Sequence, residues 1–276
     1  MGCQPDQPGG GARTGLRRLK SAVCHPGTSG LSWPVMCAAG WKTVLEKFHR
    51  ELVPAGIDLA APFGVQDYNS SVGASWRLPD FGRERTLAIV VAASRAFWRP
   101  FLDACRKDPG ILSNPHPVDD WSELNIRRAA AASGLPFEPR WPHLRGPETV
   151  AIQRAAVLAG LAHLSPSHLC IHPVHGPWIA LRGVVVFDME GPANPLPPAP
   201  DPCTACPAPC LDALKTAQAG LGNHVPGTDS PLPNWPDWVE IRSVCPAGTA
   251  SRYEPDQIRY HYAKDRTVLV KASGGR

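Results

Sequence analysis

Three cysteines fall within eight residues in Cys203-Thr-Ala-Cys206-Pro-Ala-Pro-Cys210, and a fourth, Cys245, precedes Pro246 in SVCPAG. Thiolates three and four residues apart in a proline-bearing turn can face one centre. Four of them hold either an iron–sulfur cluster or zinc. A Cys-Pro step is also what closes the bacterial ferredoxin run. A 4Fe-4S cluster is therefore the preferred reading and zinc the alternative. The local run is incomplete, because the place for a further cysteine falls at Leu214–Lys215. Cys245 would supply that ligand from a distance. Loose surface thiols are the plainer explanation of the same residues. Cys105 and Cys170 sit in apolar segments and read as core, and Cys3, Cys24 and Cys37 as ordinary thiols.

Arginine gives the second chemical indication. Arg182 stands inside the apolar run IALRGVVVF, and Arg242 in VEIRSV and Arg266 in KDRTVLV look similarly placed. A guanidinium there must face a cavity, a partner or an anionic ligand, since a dry unpaired charge is costly. The alternative is three ion-paired arginines on edge strands. His172 and His175 bracket a turn and have no second histidine at metal-binding spacing, so each reads as a hydrogen-bonded structural residue. Trp76, Trp178, Trp235 and Trp238 read as core or rim packing.

The elements that must position these residues are partly legible. WKTVLEKFHREL has helical apolar spacing at Trp41, Val44, Leu45, Phe48 and Leu52. FGVQDYNSSVG reads as strand or loop, and TLAIVVAAS as a buried strand with Ser94 capping the next helix. VDDWSELNIRRAAAAS reads as a helix closed by Gly134. Pro147 suits the first turn of a long helix, ETVAIQRAAVLAGLAHL. HLCIHP and WIALRGVVVF are expected to pair around the VHG turn. After an irregular segment, RYEPDQIRYHYA reads as helix and TVLVKA as a last strand. The order argues an α+β domain, one sheet covered by helices.

With 276 residues and a hydrophobic fraction of 43%, the chain can build a substantial core. A net charge of +4 without a long basic run speaks against nucleic acid, and no apolar run has membrane-spanning length. Nine cysteines, an odd number with no visible export signal, fit a cytoplasmic chain with some thiols on a metal. Residues 1–38 lack a period and read as a disordered tail, with Met36 as an alternative start. Residues 39–272 would form one domain. It would embed an irregular Pro/Cys-rich metal-binding segment at 192–250, with proline dense in Pro192–Pro209 and Pro226–Pro236.

CIHPVHGPWIALRGVVV resembles the matching hairpin of the CblC-type cobalamin-processing proteins, the methylmalonic aciduria and homocystinuria type C family. PFGVQDYNSSVG, RTLAIVVAAS, NPHPVDDW, the Gln153-containing Ala-rich helix, WPDWVEIRSV and RYEPDQIRYHY resemble further family segments, in the family's order. The resemblance covers roughly residues 40–270 with gaps. It implies a flavin-nitroreductase-like α+β fold and a cavity for cobalamin with its lower base detached. The upper axial ligand would be removed reductively with flavin, or transferred to glutathione. His143, Gln153, His172 and Trp178 would line the cobalamin cavity, and Arg182, Arg242 and Arg266 would hold glutathione or another thiol. The cysteine turn departs from the animal members. It is similar instead to epoxyqueuosine reductases and reductive dehalogenases, where an iron–sulfur cluster feeds cobalamin. The expectation is thus a cobalamin reductase fed by a cluster, with an electron-donor protein as a possible partner. The alternatives are a cobalamin-dependent reductase of another substrate, or a non-catalytic cobalamin carrier with structural zinc.

Overall fold

In a computed structural model of the chain, residues 40–221 and 234–272 are described. The readings of 1–38 as a tail and of Met36 as a start lie outside them, as does part of the second proline-rich stretch. The described residues belong to one compact unit. The fold is α+β.

The centre is a four-stranded antiparallel sheet in the order β1-β2-β6-β3. Its strands are β1 (Leu59–Gly64), β2 (Thr86–Ala93), β3 (Phe137–Arg140) and β6 (Ala180–Glu190). A two-stranded ladder joins β4 (His163–Leu164) to β5 (Cys170–Ile171). All residues of β2 are buried, because both faces of the sheet are covered. Leu87, Ile89 and Val91 point to one face. They meet Phe48 and Leu52 of α1 (Trp41–Leu52), Phe101 of α3 (Trp98–Lys107) and Ile126 of α4 (Pro117–Ala131). Ala88, Val90 and Ala92 point the other way, towards Tyr68 of α2 (Val65–Ser70) and Ala155 and Ala156 of α5 (Ile152–Leu158). The capping of the turn after β2 is as expected, since Ser94 Oγ accepts from the Ala96 N–H.

Five expected elements differ. The helix after Pro147 begins only at Ile152, because Trp141 N–H bonds Glu148 O and bridges Thr149 in strand fashion. HLCIHP and WIALRGVVVF do not pair; one bridge, His172 to Gly176, closes the turn between them, β5 joins β4, and β6 enters the central sheet instead. TVLVKA is α9 (Thr267–Ala272), not a strand. Asp265 accepts from the Thr267 N–H at its start, and burial of Val268 and Leu269 outweighs β-branched propensity. The 192–250 segment is less irregular than its prolines suggest. It contains α6 (Cys210–Ala219) and α7 (Trp235–Ser243), packed on each other through Ala217 and Ile241. FGVQDYNSSVG divides between the end of β1 and α2.

Two glycines lock the 172–176 turn to the chain beyond α7. Gly176 has φ +55° and Gly248 φ +68°. A Cβ on Gly176 would overlap the Ala247 carbonyl, and one on Gly248 would overlap His175. Gly82, at φ +69°, has open space around it. Gly82→Ala is expected to cost about 1 kcal/mol, the left-handed backbone term alone. Gly176→Ala adds a backbone clash and is expected to cost at least twice that; urea unfolding of the two variants checks the order.

Candidate functional site

A β-bulge places the most unusual residue. Val91 pairs with Gly183 and Ala92 with Leu181, so the register slips and Arg182 faces no partner residue on β2. A bulge re-aims the side chain it carries. Leu181 and Val184 both pack towards the α5 face, whereas Arg182 lies over the Phe97 ring on the other face, 4.4 Å from its centroid. Gly183 makes room for this, because a Cβ there would stand 2.8 Å from the Trp141 ring.

Arg182 is only 9% exposed. Its nearest carboxylate, Asp119 of α4, lies 4.0 Å from Nη1. Its Nε and Nη2 have no hydrogen-bond partner among the described residues. Burial pulls its pKa below the usual arginine range, with Tyr253 and Asp119 acting in the opposite sense. Arg242, on α7, donates to the carbonyls of Pro177 and Ile179. Burial works against its charge too, but Tyr262 and Tyr253 outweigh it and raise the pKa. The helix α8 (Pro255–Ala263) closes the cluster with Gln257, Tyr260 and His261. Burial pushes Tyr253 and Tyr260 up to about 12. His261 is held well below the ordinary histidine value by burial and then by Arg182, Lys264 and Arg242. Its Nε2, the Tyr253 hydroxyl and Gln257 Oε1 also have no partner among the described residues. Buried polar atoms left unpaired in such number are unusual in a folded protein.

That cluster borders a cavity of about 1760 Å³ whose walls include Trp76, Asp119, Arg140, His143, Arg145 and Lys264. Asp119 belongs to both, since it lines the cavity and is the carboxylate facing Arg182. His143 bonds Glu123 at 2.9 Å. The other residues expected near cobalamin lie elsewhere. Gln153 is exposed and donates to the His168 carbonyl at 2.6 Å. His172 accepts the N–H groups of Val174 and His175 at its Nδ1. Trp178 is buried against Tyr253, with ring centroids 5.5 Å apart. Arg266 is exposed and caps the carbonyls of Leu112, Asn114 and Pro115. It touches the arginine cluster only through the electrostatics of Tyr260.

The four cysteines do converge. Cys203, Cys206, Cys210 and Cys245 all line one apolar cavity of about 280 Å³, with Leu169 and Ile241. Asp201 shapes the turn, accepting from the Cys203 N–H at 2.7 Å, and Ala208 takes a left-handed conformation between two prolines so that Cys210 can open α6. Cys245 arrives from the end of α7, its N–H on the Arg242 carbonyl. Cys203 is raised by burial, by Asp201 and by the other three cysteines; Cys245 is raised by burial and by Cys210 and Cys206. Each thiolate makes the next harder to form, which a bound cation reverses. Among the described residues, three metal-ligating atoms lie mutually within 4.8 Å only at His163, Asp201 and Cys203.

Sequence reading missed the α8 residues and Asp119. Gln257 and His261 are four apart in PDQIRYHYA, one helix face, and that spacing was the available indication.

No protein-family model matches the chain. A human protein named cyanocobalamin reductase / alkylcobalamin dealkylase is 27% identical over 243 residues, covering 78% of this chain and 76% of the human one. Its mouse counterpart is 26% identical over 242 residues at the same coverage. The chain is similar to the CblC-type cobalamin-processing proteins. The crystal structure of a C. elegans B12-trafficking protein, CblC, superposes with a TM-score of 0.63, over 84% of this chain and 96% of that one, at 17% identity. That likeness is one of fold. No described helix is long and apolar enough to cross a membrane.

Two outcomes follow from the buried charges. Arg182→Met removes a desolvated guanidinium with poor compensation, so unfolding free energy is expected to stay level or rise by about 1–3 kcal/mol. A clear loss in urea unfolding would mean that Asp119 compensates Arg182 after all. Acid acts through the histidines. Burial and His175 lower His172 to about 4, and His261 is lowered as well, so the unfolded chain takes up protons first. Stability is therefore expected to hold above about pH 6.5 and to fall from there towards about pH 4. Urea midpoints across that range check it, and His172→Asn should blunt the fall.

Proposed function

We propose that this chain is a cobalamin-binding oxidoreductase that removes the upper axial ligand of its substrate. The observation that carries this reading is the cavity of about 1760 Å³ lined by Asp119, whose carboxylate lies 4.0 Å from Arg182. Pockets for ordinary small molecules hold about 300–1,000 Å³. A corrinoid is the class of ligand that needs more, and the names of the human and mouse relatives point the same way. Arg140, Arg145 and Lys264 give the wall a basic character suited to a ligand that carries a phosphate. His143 is the expected cobalamin residue that lines this cavity; in this reading Gln153, His172 and Trp178 meet the ligand only after rearrangement. The fold is then of the flavin-nitroreductase-like kind, in a single domain over 39–272.

Arg182 and Arg242 bind the carboxylates of a thiol such as glutathione, which accepts the departing ligand when that ligand is an alkyl group. Arg266 closes the outer edge beside Tyr260. Cys203, Cys206, Cys210 and Cys245 hold an iron–sulfur cluster, which when bound would supply single electrons for reductive removal. The donor set fits: four sulfurs share an apolar cavity. One zinc ion at about 2.3 Å from each sulfur draws them to about 3.8 Å of one another. No three of these four sulfurs lie mutually within 4.8 Å, which favours the larger group. An electron-donor protein would reload the cluster; flavin is the other electron source this reading admits. A cytoplasmic setting belongs to the proposal because the thiols must stay reduced.

An anaerobic ultraviolet–visible spectrum before and after cyanocobalamin and a reductant tests the whole. Expected are a brown protein, a base-off shift of the cobalamin, and loss of the cyano form. Cys203→Ser should lose iron and colour yet keep the base-off shift. A colourless wild-type protein that still shifts cobalamin would replace the cluster with a zinc-stapled carrier. An unchanged cobalamin spectrum would remove the central claim.

A further inference from the structure

Cys203 borders two cavities. It lines the apolar space of about 280 Å³ shared with Cys206, Cys210 and Cys245, and also a second space of about 380 Å³. His163, His168, Asp201 and Thr204 stand in the walls of the second, and no lysine or arginine is among its described lining residues. Three of its groups already stand as metal ligands do. A His163 ring nitrogen, an Asp201 carboxylate oxygen and Cys203 Sγ lie within 4.8 Å of one another. His163 Nε2 is 3.2 Å from Asp201 Oδ1. One tetrahedral ion about 2.1 Å from a nitrogen and an oxygen sets those two atoms about 3.4 Å apart. The pair thus has nearly the spacing that an ion imposes.

Each ligand is also placed by something other than an ion. His163 opens β4 and pairs with Ile171 of β5. The Cys203 and Thr204 N–H groups donate to Asp201 Oδ1, and Thr204 Oγ1 donates to Oδ2 at 2.7 Å. An orienting shell of this kind fixes a carboxylate ligand. A hydrogen bond from imidazole to carboxylate accounts for the 3.2 Å pair alone; the thiol beside both, in a space without a basic residue, makes the trio a cation site. The four cysteines are spaced differently, since no three of their sulfurs lie mutually within 4.8 Å. A lone ion is better met by the trio, and a larger group by the cysteines.

We propose that His163, Asp201 and Cys203 bind a single zinc-class divalent ion, and that this ion and a cluster on the four cysteines exclude each other because both need Cys203. Imidazole, carboxylate and thiolate together suit zinc. Three protein ligands leave the fourth tetrahedral position to water, on the side of the second cavity. The Cys203 thiol gives its proton to solvent as the metal–sulfur bond forms. The exclusion rests on the cluster reading given above; the ion site does not.

Cobalt(II), added anaerobically to the reduced, metal-free full chain, is the probe, because each sulfur ligand adds a sulfur-to-cobalt charge-transfer absorption. One equivalent should bind with the intensity of a single sulfur. His163→Ala and Asp201→Asn should each weaken binding at least tenfold; the amide of the second still accepts from the turn, and thermal melting confirms that each variant folds. Cys206→Ser should bind cobalt as wild type does. Four-sulfur intensity, or cobalt lost in Cys206→Ser but kept in His163→Ala, puts the ion among the cysteines and overturns the proposal, as does no cobalt absorption at all. Reconstitution with iron and sulfide tests the exclusion. One equivalent of zinc added first should cut iron uptake at least fivefold in wild type and leave it unchanged in His163→Ala. Iron uptake indifferent to zinc overturns the exclusion and leaves the ion site standing. No iron uptake even without zinc overturns the cluster reading, and the exclusion with it, while the cobalt result still decides the ion site.

Discussion

A guanidinium buried at a break in the central sheet is the constraint on which the rest of this molecule turns. Arg182 could have been accommodated by pointing it to solvent, but β6 is the second strand in from one edge and both sheet faces are covered. The bulge resolves the conflict by giving Arg182 a position that belongs to neither regular alternation. Gly183 must then be glycine, because the bulged backbone runs against the Trp141 ring. Phe97 must be aromatic or close to it, since its face is what the guanidinium rests on. Asp119 and α8 are arranged around the same charge. One residue thus sets the composition of several elements that are distant in sequence.

The second constraint is the interlock between the 172–176 turn and residues 247–248. Two glycines, each in a left-handed conformation, let the backbones approach where no side chain would fit, and His175 Nδ1 lies 2.9 Å from Ser251 Oγ across the same junction. The junction positions α7 from its end. Arg242 and Cys245 lie three residues apart there, so the segment that delivers a guanidinium to one site delivers a thiol to the other. Placing Cys245 is therefore not separable from placing Arg242. Structure at the cysteine cavity and structure at the arginine cluster stand or fall together.

What was legible in the sequence follows from which physics is local. The α1 stripe, the buried β2 run, the Ser94 cap and the Gly134 stop each depend on a few neighbouring residues, and each was readable. The convergence of four cysteines was readable from spacing, because Cys203, Cys206 and Cys210 are close in the chain and Cys-Pro is a distinctive step. Residues 171–190 defeated local reading: their two apolar runs look like a hairpin, yet β5 and β6 choose different partners. TVLVKA failed for the opposite reason, since an Asp265 cap and two buried side chains override a strand-like composition. Arg266 shared its apolar surroundings with Arg182 in sequence, but lies in a surface turn where carbonyl oxygens satisfy it. No period distinguishes a bulged arginine from a capping one.

The electrostatics of the two sites also differ. Burial and neighbouring cysteines raise the thiols of Cys203 and Cys245, in a cavity whose apolar walls include Leu169 and Ile241. The arginine cluster is the opposite case: two buried guanidiniums beside polar groups with no partner among the described residues. Cys170 shows the effect in miniature. It is buried near Arg242, which draws its pKa down, yet burial prevails and holds the thiol at about 11. A single buried thiol beside an arginine stays protonated and inert.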